Sequence, residues 1–231
     1  MKPTLNNQLN FSPGDLVAVG DVHGRVDLVW ELVGKLRGTG VHLLFLGDLI
    51  DRAQKKGDDV RVLNVVKSLM DDPLQYGLAS VDVLRGNHEQ MFLDAVDSNP
   101  FDWSGSFNLW VHNGGAIDSL EEMRPHAEWI RKLPLFKRVG STVFVHAGLR
   151  PFVPLEQQTA SDMTWIRQPF LMQGAKGVKS VDLVVHGHTP DFDEPGKIEV
   201  TDNRVNLDSG AFFSGKLTGF NHNTMELFQV G

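Results

Sequence analysis

The sequence predicts an α/β sandwich, a pair of mixed sheets flanked by helices, with one cluster of functional loops. Three observations predict it. Apolar runs alternate with segments of helical period through the first half of the chain. Those runs stop at the polar motifs "DVHG", "DLIDR" and "NHEQ", which fall on loops at one sheet edge. The second half breaks into short strands separated by turn residues.

Taken in order, "MKPTLNNQLNFSPGD" carries no apolar run, and disorder is expected nowhere outside residues 1–13 of a single domain spanning 1–231. "DLVAVG" is a strand, followed by a helix over 26–36 with apolar Leu28, Val29, Leu32, Val33 and Leu36 on one face. "HLLFLG", apolar on both faces and closed by glycine, is the kind of strand a covered parallel sheet uses, and a helix follows over 60–70. Ligands of such sheets bind beyond the carboxyl ends of the strands, so Asp48, Asp51 and Arg52, presented there, mark a site. "VDVLRG" and a helix over 90–96 complete a βαβαβα pattern.

Residues 99–115, rich in Trp, Gly, Ser and Asn, read as an irregular loop leading into a short helix, with the aromatics anchoring a packed connector. Residues 127–133 read as helical. "LFKRVG" and "STVFVHAG" form a hairpin across Gly140-Ser141, the second strand ending at His146. A surface excursion over 151–177 contains the helical "ASDMTWIRQPFLM". The short strands "VDLVVHGH", "KIEVTD", "RVNLDSG", "KLTGF" and "TMELFQV" then suggest antiparallel pairing.

Composition narrows the functions. The 231 residues suffice for one substantial core, and 41% hydrophobic with 22% charged residues is globular composition. A net charge of −7 argues against a nucleic-acid partner, which asks for a basic face to replace counterions. No segment approaches a membrane span and no secretory leader is visible, so a cytoplasmic protein without a membrane partner is expected. With no cysteine, disulfides, thiolate metal sites and cysteine nucleophiles are excluded.

The polar residues at strand ends are Asp21 and His23, Asp48 with Asp51 and Arg52, Asn87 and His88, His146, and His188. Carboxylate, imidazole and amide oxygen are the ligand set of Mn, Fe or Zn rather than Ca or Cu. Two divalent metals are implied, one taking Asp21, His23 and Asp48, the other Asp48, Asn87, His146 and His188, with Asp48 bridging. Singly, each motif reads as well as a helix cap or a core histidine. Jointly, strand ends that supply a complementary ligand set make a site.

"GDVHG" at 20–24, "GDLIDR" at 47–52 and "RGNHEQM" at 85–91 resemble the three signatures of the PPP-type metallophosphatases of the calcineurin-like phosphoesterase superfamily. "VHAG" at 145–148, "WIRQ" at 165–168, "HGHTP" at 186–190 and "LDSGAFFSGKLT" at 207–218 resemble later blocks of the small bacterial and phage branch. The resemblance implies a four-layer αββα metallophosphoesterase sandwich and the ligand set above. It further implies His88 as general acid, Asp51 as its orienting partner, and Arg52, Arg85 and Arg167 as phosphate contacts. A phosphate dianion needs cationic forks for its oxygens and an acid for the alkoxide leaving group, which matches those roles. One departure is Ala53, where the family has glycine; a positive φ there would strain alanine, and "KKGDD" is expected to absorb the turn. His186 of "HGH" shares a strand face with His188 but is expected to support the site without ligating metal.

The expected function is therefore a dinuclear phosphatase, activated by Mn, that hydrolyses phosphoserine and phosphothreonine in protein or peptide partners by attack of metal-bound hydroxide. The rivals are a symmetric dinucleoside tetraphosphate hydrolase and a weakly active phosphoprotein-binding regulator. In the first of these the signature loop of the family lacks an aspartate at the position of Asp51, because a phosphate leaving group needs little protonation. The second is disfavoured by the complete ligand set.

Overall fold

The computed structural model describes residues 3–6, 10–98 and 105–231. Its strands are β1 (Thr4–Leu5), β2 (Leu16–Val19), β3 (His42–Phe45), β4 (Ser80–Val83), β5 (Phe136–Val139), β6 (Thr142–Val145), β7 (Leu183–His186), β8 (Glu199–Val200), β9 (Arg204–Asn206), β10 (Leu217–Asn221) and β11 (Glu226–Val230). One sheet has the order β1-β11-β10-β2-β3-β4, the other β5-β6-β7-β9-β8. Within the first, β2, β3 and β4 run parallel, Leu16 facing His42 and His42 facing Ser80. Within the second, β6, β7 and β9 run parallel. Antiparallel strands occupy the flanks, and the β5–β6 hairpin closes with Val139 opposite Thr142, as Gly140-Ser141 predicts.

Two expectations change. Antiparallel pairing was expected among the short strands after residue 177, but β7 pairs with β9 in parallel, as it does with β6. The chain between β6 and β7, and between β7 and β9, is long enough for the crossover that parallel strands require. Within residues 1–13, the stretch to which any disorder was confined, Thr4–Leu5 add a parallel strand to β11. Of that stretch, residues 1, 2 and 7–9 lie outside the described residues.

The sheets stack face to face, and the alternation of side chains along each strand separates three apolar layers. Leu16, Ala18 and Leu44 of the first sheet meet Phe144, Val185 and Val205 of the second. On the outer side of the first sheet, Val17, Val19, Leu43, Phe45, Val81 and Val83 pack against helices α1 (Val26–Leu36), α2 (Asp58–Asp71), α3 (Asn87–Asp97) and α4 (Ser106–His112). Behind the second sheet, Val143, Val145 and Val184 meet Met163, Ile166 and Phe170. These are the four layers of the expected αββα sandwich. The helix expected over "ASDMTWIRQPFLM" is split into Ala160–Trp165 and Phe170–Gln173, because Pro169 lacks an N–H and biases Gln168 away from helical backbone. Among the described residues no helix is long and apolar enough to cross a membrane.

Candidate metal centre

The six strands of the two central parallel runs, β2-β3-β4 and β6-β7-β9, point their carboxyl ends at one place. β2 runs into Asp21 and His23, β3 into Asp48, β4 into Asn87 and His88, β6 into His146, β7 into His188 and β9 into Asp208. Delivering so many polar groups to one point bends the chain: His23, Asp48, Asp51, Arg52 and His188 all have positive φ, between 46° and 71°. Non-glycine residues avoid this region at a cost, and such outliers gather where surrounding contacts hold them for a function. Two glycines allow the approach. A Cβ on Gly86 would lie 2.1 Å from Asp48 Oδ1, and one on Gly187 2.0 Å from Asp21 Oδ1.

Potential ligand atoms fall into two groups that share Asp48: His23, Asp48 and His88, and Asp48, His146 and His188. Asp48 Oδ2 lies 3.8 Å from both His23 Nε2 and His88 Nε2, and 3.3 Å from His146 Nε2. Asn87 Oδ1 sits 2.9 Å from His146 Nε2 and 2.8 Å from His188 Nδ1. Asp21 accepts the His188 backbone N–H at 3.1 and 3.2 Å. The far nitrogens of two imidazoles are tied down. His23 Nδ1 donates to the Ile50 carbonyl at 2.9 Å, and His146 Nδ1 to that of Leu46 at 3.1 Å, which turns Nε2 of both rings toward the site.

Electrostatics follow from burial. Burial lowers His23 to about 3, helped by the neighbouring His88, and His188 to about 2, helped by His146. Burial also opposes charge on His146, but the Asp48 carboxylate outweighs it and raises His146 to about 9. Asp21 is raised well above the carboxylate range by burial and by Asp208. Asp21, Asp48 and Asp208 are each only 2% exposed. Buried carboxylates in such number call for cations.

His88 Nδ1 lies 2.7 Å from Asp51 Oδ2, with both side chains buried. Burial opposes protonation of His88, yet the Asp48 charge and the Asp51 hydrogen bond carry its pKa upward. Sequence reasoning missed four residues around this pair. Trp110 Nε1–H donates to Asp51 Oδ1 at 2.9 Å. Asp59, raised to about 7 by burial and by Asp51, accepts from the Asp51 backbone. Glu89 accepts the N–H groups of Asp48, Leu49 and Gly86 at 2.8, 2.7 and 2.9 Å, gripping the loop that presents Asp48. Asp208 faces Asp21 across the site. The strand-end rule applied to "RVNLDSG" finds Asp208; the other three show no local pattern.

A cleft of about 120 Å³ opens over these groups and is lined by Asp48, Arg52, Asn87, His88, Arg167 and His188, together with Trp165 and Asn113. Arg52 donates to His23 Nε2 at 2.9 Å and lies over the Phe212 ring at 4.9 Å. Arg167 is exposed at the rim, its guanidinium reaching the His188 carbonyl at 3.5 Å. Arg85, expected as a third phosphate contact, is not part of this lining; its backbone N–H bonds Pro134 and its buried Nε has no partner. His186 bonds the Gly187 carbonyl and approaches Arg204, away from both ligand groups. Ala53 is not among the residues with positive φ, which falls on Asp51, Arg52 and Gly57 instead. The Ala53 methyl packs where a Gly24 Cβ would come, 2.5 Å away.

The residues fit divalent cations. The donor set is mixed oxygen and nitrogen around a shared carboxylate, and His188 Nε2 is buried without a hydrogen-bond partner. Such a sandwich, with potential ligands at the ends of parallel strands of both sheets, has the arrangement of a metal-dependent phosphoesterase. The chain belongs to the calcineurin-like phosphoesterase family, which matches residues 15–208. It is 27% identical over 243 residues to Bis(5'-nucleosyl)-tetraphosphatase PrpE [asymmetrical] of Bacillus subtilis, covering 92% of each chain. It is 28% identical to Serine/threonine-protein phosphatase 1 of Salmonella typhimurium, covering 87% of this chain and 88% of that one. In fold it matches a protein serine/threonine phosphatase of Saccharomyces cerevisiae with a TM-score of 0.64 at 14% identity, over 94% of this chain and 79% of that chain.

Proposed function

We propose that the chain hydrolyses phosphate monoesters, with phosphoserine and phosphothreonine in protein or peptide partners as its substrates. The observation that carries this reading is the contact at 2.7 Å between buried Asp51 and His88, which lines the cleft. A serine alkoxide is a strong base and leaves only with a proton. An imidazole held by a buried carboxylate supplies one. Phosphate as a leaving group has no such need.

In this reading His88 gives its proton to the departing oxygen, and Asp51 orients the ring and stabilises its charged form. Arg52 and Arg167 hold the non-bridging phosphoryl oxygens, with Arg52 laid over the Phe212 face. Asp21, His23, Asp48, Asn87, His146 and His188 hold the divalent cations, for which we propose Mn. When bound, such a pair supplies positive charge against the phosphoryl group and an acidified water as nucleophile. His88 also lies within reach of Asp48, so its charge is stabilised from two sides.

A second reading, hydrolysis of a dinucleoside tetraphosphate, is favoured by relatives named for that activity in its asymmetrical form. Nothing in the cleft excludes a dinucleotide by shape, whereas the Asp51–His88 dyad gives a chemical reason for the first reading. The deciding experiment compares kcat/KM for phosphoserine peptides and diadenosine tetraphosphate with Mn present. The proposal expects the peptides to be preferred. Preference for the dinucleotide, with Asp51→Asn harmless to it, assigns the second reading.

A further inference from the structure

The segment expected only to be a packed connector reaches the chemistry. Trp110, on α4, is fully buried, and its indole N–H donates to Asp51 Oδ1 at 2.9 Å while Asp51 Oδ2 takes His88 Nδ1 at 2.7 Å. The ring is fixed from several sides. Phe92 and Phe107 meet it with centroids 6.2 and 6.0 Å away, and Gly115 lies so close that a Cβ there would stand 2.2 Å from the indole. The same segment sends the Gly114 carbonyl to the Arg52 backbone N–H at 3.0 Å. Residues on either side of one strained turn, Asp51 at φ 68° and Arg52 at φ 62°, are therefore both held by the stretch from Trp110 to Gly114.

We infer that Trp110 is a positioning residue for proton transfer, acting through Asp51 on His88; the inference rests on the proposed role of His88 as the acid. An indole nitrogen can only donate. Facing Oδ1, it requires that oxygen to be an acceptor, so a proton on Oδ1 would oppose the Trp110 N–H. With Oδ1 held by the indole, the carboxylate presents Oδ2 to His88 Nδ1. The contact also fixes the plane of the carboxylate, and through it the ring whose Nε2 faces the cleft. Neither aromatic packing nor loop anchoring requires the indole nitrogen to point at this atom.

The test is the leaving-group dependence of kcat in Trp110→Phe, with His88→Asn as the reference. Phenylalanine keeps an aromatic ring in the pocket and removes the donor. On an alkyl phosphate, Trp110→Phe is expected to lose about 10- to 100-fold in kcat, the size of one hydrogen bond to a charged group. On an aryl phosphate whose phenolate leaves without a proton, the loss should be within about threefold. In an Asp51→Asn background the substitution should add nothing further, since the two act as one unit. Should Trp110→Phe fail to fold, 3-benzothienylalanine at position 110 keeps the bicyclic shape without the N–H and carries the same comparison. Equal losses on both phosphates, or a loss that adds to that of Asp51→Asn, would mean that Trp110 only packs, and would overturn the inference while leaving His88 as the acid. If His88→Asn itself shows no leaving-group dependence, the reading of His88 fails, and the inference falls with it for that separate reason.

Discussion

Gly187→Ala adds a single methyl group at a position with no unusual φ, yet it should cripple the site. The new Cβ would stand 2.0 Å from Asp21 Oδ1 and 3.2 Å from Asp21 Cγ. Carbon–oxygen contacts settle at roughly 3.3–3.6 Å even when weakly attractive, so one partner must give way by about 1.3 Å. The Asp21 carboxylate is the movable partner, because Gly187 is fixed by its N–H to the His146 carbonyl at 2.8 Å. Its withdrawal breaks the hydrogen bonds from the His188 N–H and moves a carboxylate proposed as a cation ligand. Displacement of a reacting array by about 1 Å costs on the order of 10²-fold in rate, and overpacking costs about 1–3 kcal/mol of stability. For a chain of this size that is a fall in Tm of roughly 2–12 °C. The assay is kcat on an aryl phosphate with saturating Mn, beside a thermal melt. Gly34→Ala is the control: its Cβ meets nothing within 4 Å inside α1, so activity should hold and stability should rise by about 0.5–1 kcal/mol. A Gly187→Ala enzyme with unchanged kcat and unchanged Mn affinity would refute the placement of Asp21 in the centre.

Other consequences follow from the same geometry. Glu89→Gln leaves at least one of three backbone N–H donors facing an amide N–H, and Mn affinity measured by calorimetry should fall about 10- to 100-fold, as for partners that orient ligands; undiminished affinity would deny Glu89 its grip on the Asp48 loop. His188→Ala should weaken Mn binding far more than His186→Ala, whose imidazole bonds the Gly187 carbonyl instead; the reverse order would exchange the two assignments. His146, raised to about 9 from an unfolded value of 6.5, contributes stability that is complete below pH 6.5 and is lost as pH rises through 9. The melting temperature of metal-free protein should therefore fall between pH 6.5 and 9 while Mn affinity climbs, because a ligand imidazole must be neutral; a flat melting profile would contradict the charged His146.

The strands of the first half are legible because they are buried on both faces, so "LVAV" and "HLLF" stay apolar without interruption and end abruptly at charged residues. The direction of the later strands is not. Three or four residues of β7 and β9 look alike whether parallel or antiparallel, and only the long connections around them distinguish the two. Helix α3 begins at Asn87, ahead of the expected residue 90, because its first turn is polar and buried by the site rather than by apolar packing. Strand ends reveal Asp21, Asp48 and the histidines from sequence. Glu89 escapes because its partner at Asp48 is 41 residues away, and Trp110 because its partner at Asp51 is 59 away. No periodicity links such pairs.

The two-cation centre proposed around Asp48 is open to direct test by titration with Mn. Metal-stripped protein is loaded stepwise while bound Mn and phosphatase rate are read together. The account predicts no rate in chelator, a break at two equivalents of Mn per chain, and loss of both binding events in Asp48→Asn, since a neutral amide cannot bridge two cations as a carboxylate does. A break at one equivalent, or an Asp48→Asn chain that still binds two Mn and turns over normally, would contradict it.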